Sequence, residues 1–278
     1  MTDRKPKKSQ PKVKRESKEQ EEKHKQEISA GEKVTEADIK NEGPKVEVPE
    51  GWVPRTDLGR AVFDGRITDI DQIFKEGYKI AESEIVDTLF PNLENEIIMI
   101  GGTSGKGGGI RRTISRRTTR MHKSGRRFRV SVMVVVGNRD GYLGIGIASG
   151  PPNMHRGVIN KALHKAKLNI IPITRGCGSW ECGCGSTHSI PIKTVGKTGS
   201  VSVYLMPAPK GIGLCCSAEM KKVMRLAGIT DIWVKTRGHS QTRYNFAKAV
   251  FNAIKKVNTI RMTETQMKKI GACMGKVE

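Results

Sequence analysis

The chain has 278 residues, with 50 Lys/Arg against 28 Asp/Glu and a formal net charge of +22, a balance that asks for a polyanionic partner because self-repulsion otherwise costs stability. Hydrophobic residues make up 36% and aromatics 5%, so the cores are small and aliphatic; no stretch reaches the roughly 18 apolar residues of a membrane span. No N-terminal apolar run marks a signal peptide, which points to the reducing cytoplasm, where the six cysteines are expected as metal ligands or buried thiols rather than disulfides.

Residues 1–50 hold 13 Lys/Arg and 12 Asp/Glu with almost no large apolar side chain, so they are expected as a disordered charged tail. The rest of the chain then carries about +21. Residues 51–92 read as an N-terminal helical segment, with order starting near Gly51–Pro54. Ile67, Ile70, Ile73 and Phe74, then Ile80, Ile85, Val86 and Leu89, recur at spacings of three and four. That pattern predicts two short helices, the second closed by Pro91.

Residues 93–171 read as one module. Gly101–Gly109 resembles a phosphate-binding loop, but the pattern needs Gly where Ile100 stands and Ser or Thr where Gly107 stands. A flexible insertion is the better reading. Thr113–Met121 predicts a first strand. Phe128–Gly137, with its β-branched valines, predicts a second, and Tyr142–Ala148 a third. Asn138–Gly141 is the hairpin turn between the last two, its Asp-Gly supplying the left-handed positions. Met154–Leu168 predicts a helix with Val158, Ala162, Leu163 and Ala166 on one face. Helix, three antiparallel strands and helix make an α-β-β-β-α module whose order resembles a double-stranded-RNA-binding domain.

Residues 172–188 form a Cys/Gly-rich link. Residues 189–260 read as a second, β-β-α-β-α module: a hairpin of Ser189–Val195 and Ser200–Pro207, a helix Ala218–Leu226 closed by Gly228, a strand Asp231–Thr236 and a helix Arg243–Val257. The last helix carries Phe246, Ala247, Val250, Phe251 and Ile254 on one stripe. Residues 261–278 are expected as a C-terminal tail. The fold class is therefore α+β throughout.

The charge is concentrated. Between Ile97 and Lys210 there are 19 Lys/Arg and only two acids, Asp140 and Glu181. Arg111–Arg129 alone holds nine Lys/Arg and no acid in 19 residues. The candidate RNA ligands there are Arg111, Arg112, Arg116, Arg117, Arg120, Lys123, Arg126, Arg127 and Arg129. Alternate strand residues share a face, so Arg127 and Arg129 project together while Phe128 and Val130 turn to the core; Lys123–Gly125 form the tip. The planar Arg fork suits phosphate, and double-stranded RNA is read by shape with little need of stacking aromatics. In the second module Lys193, Lys197, Lys210 and Arg243 are assigned to RNA. The loop at Gly211 and Gly213 and the strand at Val201–Leu205 are expected to face the module's core or a neighbouring protein.

Cys177, Cys182, Cys184 and His188 make a C-x4-C-x-C-x3-H spacing. Three thiolates and one imidazole suit tetrahedral zinc, and the intervening glycines let the backbone wrap tightly. Buried thiols without metal are the rival reading. No Ser-His-Asp arrangement, H-E-x-x-H or dinucleotide fingerprint is visible, so neither catalysis nor a small-molecule substrate is expected.

Several segments in order resemble one family. Ser124-Gly-Arg-Arg-Phe-Arg129, Val134-Val-Val-Gly-Asn138 with Gly141-Tyr-Leu-Gly-Ile-Gly146, Ala166-Lys-Leu-Asn-Ile-Ile-Pro172, Pro207-Ala-Pro-Lys-Gly-Ile-Gly213 and Asn245-Phe-Ala-Lys-Ala249 closely resemble the small-subunit ribosomal protein family numbered five. The resemblance covers roughly residues 60–270, and Arg175–His188 looks like its archaeal branch. It implies a double-stranded-RNA-binding-like module followed by a ribosomal-fold module. It also implies a place between body and head of the small subunit, near mRNA entry. The implied partners are ribosomal RNA and small-subunit proteins four and eight, and the implied roles are assembly and translational accuracy. The chain departs from the family pattern at Ala148-Ser-Gly-Pro-Pro152, where Gly-Lys-Ala is usual, and at Gln241-Thr-Arg-Tyr-Asn-Phe246. Two rivals stand beside it: a free double-stranded-RNA-binding regulator, which the first module alone would permit, and an RNA-modifying enzyme.

Overall fold

A computed structural model describes residues 51–105 and 107–276. The 1–50 segment, expected as a disordered tail, lies outside the described residues, as does Lys106. The described fold is mixed α+β.

The N-terminal segment carries three short helices rather than two: α1 (Asp57–Phe63), α2 (Ile70–Glu76) and α3 (Glu84–Leu89). The sequence pattern revealed α2 and α3. It hid α1 because Gly59 interrupts it, but Thr56 caps that helix, its side chain accepting from the Gly59 amide at 3.0 Å. The carboxylate of Glu82 ties the entry down, accepting from the Trp52 indole and from the Arg55 and Thr56 amides.

The first sheet is built on β5 (Gly125–Gly137), which pairs along one edge with β6 (Tyr142–Gly150), and β6 with β7 (Ile170–Pro172). Its other edge is shared. β4 (Arg116–His122) pairs with residues 125–131 and β1 (Glu94–Ile98) with residues 133–137. From Val130 onward both faces of β5 are covered, which is why its valines run almost without interruption. Val130, Val132 and Val134 pack on α4 (His155–Lys167), while Met133 and Val135 join the second module's core. In the Asn138–Gly141 turn, Arg139 and Gly141 are the left-handed positions; Asp140 was expected there and is not one of them. The Asn138 side chain accepts from the Asp140 and Tyr142 amides, which closes the turn.

Gly101–Gly109 is not the loose insertion that its composition suggested. β2 (Gly101–Ser104) and β3 (Ile110–Thr113) pair as a hairpin, with glycines at its tip.

The second sheet has the order β11-β12-β10-β9, comprising β9 (Thr194–Thr198), β10 (Val201–Pro207), β11 (Leu214–Cys215) and β12 (Ile232–Arg237). It is covered by α5 (Ala218–Leu226) and α6 (Arg243–Val257). Both helices coincide with the predicted spans. Close helix–strand approach is solved in the same way in each module. A Cβ on Gly146 would overlap the Ala162 carbonyl oxygen of α4, and one on Gly196 would overlap the Ala249 carbonyl oxygen of α6.

The two modules share one core. Ile98, Met133, Val135, Leu143 and Ile145 of the first lie in the same cluster as Val203, Leu205, Met224, Val250 and Ile254 of the second. The link is equally integrated. Its strand β8 (Thr174–Arg175) pairs with β13 (Cys273–Met274), so residues 261–276 are not a loose tail: they form α7 (Glu264–Ile270) and then return to the middle of the chain. Arg175 is buried and donates to the carbonyls of Arg139, Gly228 and Gly275.

Candidate nucleic-acid interface and metal centre

Beyond Val130, β5 loses β6 and continues with β4 alone, so residues 118–129 form a two-stranded arm with Arg116 and Arg117 at its base. Every residue of β4 is exposed. The register follows from the turn at Lys123–Ser124, which places His122 opposite Gly125 and Arg120 opposite Arg127. Directly opposed residues share a face. One face of the arm therefore gathers Arg116, Arg120, Arg127 and Arg129, the pair expected to project together plus two partners from β4. The other carries Arg117, Met121, Arg126 and Phe128. Phe128 does not reach the core as expected; it is half-buried beneath the Arg117 guanidinium, whose Cζ is 4.5 Å from the ring centroid. Like charges directly opposed across strands repel, and the arm contains no acid to relieve them.

Arg111 and Arg112 are exposed on β3. Lys123 is exposed at the arm's tip, and Lys193, Lys197 and Lys210 are exposed on the second module. Arg243 stands apart. Its Nη1 donates to the Met99 carbonyl at 3.0 Å and lies 3.5 Å from the Glu219 carboxylate, so its guanidinium is engaged within the chain. Burial and then the neighbouring Arg112 lower its pKa, while Glu219 opposes them.

The four candidate metal ligands converge. The sulfurs of Cys177, Cys182 and Cys184 and a ring nitrogen of His188 all lie within 4.8 Å of one another. A tetrahedral zinc shell needs ligand atoms roughly 3.5–3.8 Å apart, so small side-chain adjustments close it. Cys177 is buried, and its thiol is held up first by burial and then by the neighbouring thiols. Cys184 is exposed, and bonds from the Ser186 hydroxyl and amide lower its thiol to about 6, toward the thiolate that a metal requires. His188 is buried, and its Nδ1 lies 3.0 Å from Asp231 Oδ2. A carboxylate can only accept, so in the neutral ring Nδ1 carries the hydrogen and Nε2 presents its lone pair. That Nε2 is buried with no hydrogen-bond partner. An orphaned acceptor on a ring grouped with three thiols, with its opposite nitrogen on a carboxylate, is the arrangement that orients a histidine toward zinc.

Two family models match the chain: "Ribosomal protein S5, N-terminal domain" over residues 114–174 and "Ribosomal protein S5, C-terminal domain" over residues 196–269. "Small ribosomal subunit protein uS5" of Methanothermobacter thermautotrophicus is 46% identical over 224 residues, covering 81% of this chain and 96% of the relative. The chain belongs to the ribosomal protein S5 family. The uS5 proteins of Methanocaldococcus jannaschii (46% over 226 residues; 81% and 96% covered) and Methanothrix thermoacetophila (45% over 212 residues; 76% and 96% covered) are similarly close.

In this S5-family chain the arginine arm lies within the N-terminal match, and Lys197, Lys210 and Arg243 within the C-terminal one. The four metal-ligand candidates fall between the two matches. The sequence left two features of the site unseen. Asp231 is 43 residues from His188, so no local spacing joins them. Arg237 extends the basic surface at the end of β12, its Cζ 5.6 Å from the Tyr204 ring centroid; the alternation Lys235-Thr-Arg237 was the available signal.

Proposed function

We propose that this chain is a structural, non-enzymatic constituent of the small ribosomal subunit that binds ribosomal RNA through the arginine arm. The observation that carries the reading is the arm's face of Arg116, Arg120, Arg127 and Arg129, a repulsive cluster whose natural complement is a row of phosphates. The archaeal relatives named as small-subunit proteins give that RNA its identity. In this reading the first module grips RNA by shape, in the manner of a double-stranded-RNA-binding domain. The Lys193, Lys197 and Lys210 side chains contact phosphate from the second module. The chain sits near mRNA entry between body and head, beside small-subunit proteins four and eight, and contributes to assembly and accuracy in the cytoplasm. Among the described residues no helix is long and apolar enough to cross a membrane. Sucrose-gradient sedimentation of the tagged chain tests the reading. Co-migration with small subunits is expected; recovery only at the top of the gradient, with free RNA duplexes, would favour the regulator instead.

A second reading rests on its own observation. The orphaned Nε2 of His188 beside Cys177, Cys182 and Cys184 supports a structural zinc ion held by these four residues. Elemental analysis of protein purified under reducing, chelator-free conditions should give close to one zinc per chain; a content near zero leaves cysteines that only pack.

A further inference from the structure

We infer that Asp231 is a positioning residue serving two places at once, orienting His188 toward the metal centre and fixing the Lys210–Gly213 loop, so that metal occupancy sets the order of that loop. The inference rests on the zinc reading above and assigns the ion a regulatory consequence at a surface some distance along the chain.

The two carboxylate oxygens of Asp231 divide the work. Oδ2 lies 3.0 Å from His188 Nδ1 and accepts the Thr230 hydroxyl at 3.0 Å. Oδ1 accepts the backbone amides of Gly211 at 3.1 Å and Gly213 at 2.7 Å. The Asp231 side chain is 6% exposed. Four partners thus converge on one carboxylate: the Gly211 and Gly213 amides, the Thr230 hydroxyl and the His188 ring. Backbone bonds reinforce the link, because the His188 carbonyl accepts the amides of Thr230 and Asp231.

Between β10 and β11, among the described residues, no other side chain bonds the backbone of the Lys210–Gly213 loop. Gly211 and Gly213 both take left-handed backbone angles, φ of 96° and 75°, and Lys210, Gly211 and Ile212 are exposed. Its order therefore depends heavily on one carboxylate, joined by the bond from the Ile232 amide to the Gly213 carbonyl. His188 in turn depends on what its Nε2 meets. A buried nitrogen with no partner carries a desolvation cost, which favours ring orientations that reach water. A metal on Nε2 removes that cost and pins Nδ1–H on Asp231. The ion thus holds the ring, the ring helps hold the carboxylate, and the carboxylate holds the loop that carries Lys210. Linkage is reciprocal, so a phosphate that docks on the ordered loop tightens metal binding by the same factor.

The test uses the full chain with zinc as the probe, reading metal content, zinc affinity by chelator competition, and amide exchange at Gly211 and Gly213 with Val203 in β10 as an internal control. Chelation should speed exchange at the two glycines by roughly tenfold or more while Val203 stays protected. Cys184→Ser, whose native thiol pairs with Ser186 rather than with Asp231, should loosen the loop in the same way. Asp231→Asn should weaken zinc binding by about 10–100-fold, as loss of a carboxylate partner of a metal-bound histidine does. If zinc binds one per chain and chelation leaves both glycines unchanged, the coupling is wrong and the metal reading survives. If Asp231→Asn binds zinc as tightly as the native chain, the positioning role is wrong. If no zinc binds at all, both readings fall together. Should Asp231→Asn fail to fold, Cys184→Ser decides the coupling alone.

Discussion

Arg120 and Arg127 stand directly opposite one another across the β4–β5 arm. The pair is unfavourable in the free protein and useful only against a polyanion, so one substitution should push stability and binding in opposite directions. Arg120→Glu should raise the stability of the free chain by about 0.2–1 kcal/mol, because an opposite-charge cross-strand pair replaces a like-charge one. The same change should weaken RNA binding. Thermal melts and filter binding on one preparation check both signs, and weaker stability with unchanged binding would remove the arm from the interface.

The arm should also show in the salt dependence. Arg127→Ala and Arg129→Ala should each reduce the log–log salt slope of RNA binding by somewhat less than about 1, since each removed phosphate contact releases fewer counterions. Phe128→Ala should act mainly through Arg117, which loses the ring beneath its guanidinium.

Gly146→Ala and Gly196→Ala should each lower stability by about 1–3 kcal/mol or more, because the new methyl meets a helix carbonyl that can move only with its helix. Denaturant melts measure this. The two losses should fail to add fully if the shared core lets one displaced helix relieve the other.

Stability should depend on pH through Glu82. Burial works to raise its carboxyl pKa, but bonds from the Trp52 indole, the Arg55 and Thr56 amides and the Thr56 hydroxyl hold it below its ordinary 4.5. A carboxyl lowered on folding contributes stability that is complete above its unfolded pKa and disappears as pH falls through the folded one. Glu82→Gln should therefore lower the melting temperature measurably but modestly at pH 7, because solvent screens a carboxylate that is only partly buried. That difference should shrink as the pH falls below 4.5. An equal difference at all pH values would show that Glu82 acts by packing.

How much could be read in advance varies with how local the signal is. α5 and α6 were legible because their apolar stripes are long and periodic. The convergence of Cys177, Cys182, Cys184 and His188 was legible because all four lie within one short segment. β1 was not, since its sequence Glu94-Asn-Glu-Ile-Ile98 is short and mostly polar, and only pairing with β5 makes it a strand. The β2–β3 hairpin was lost in glycines that carry no strand preference of their own. α7 and β13 read as a tail because their order comes from a contact made almost 100 residues back, at Thr174 and Arg175. The engagement of Arg243 with Met99 and Glu219 was invisible for the same reason.

Arg175 has a consequence for the making of the protein. Its two terminal nitrogens take acceptors from residues 139, 228 and 275, so their partners are not all present until synthesis has passed Gly275. A nascent chain stopped after Val257 already holds both sheets and their covering helices. It still leaves a buried cation short of an acceptor and β8 without its strand partner. The middle of the molecule therefore reports on its far end: a truncated product is marked by a loosened centre rather than by a missing fringe, where proteases that sample opened structure would find it first.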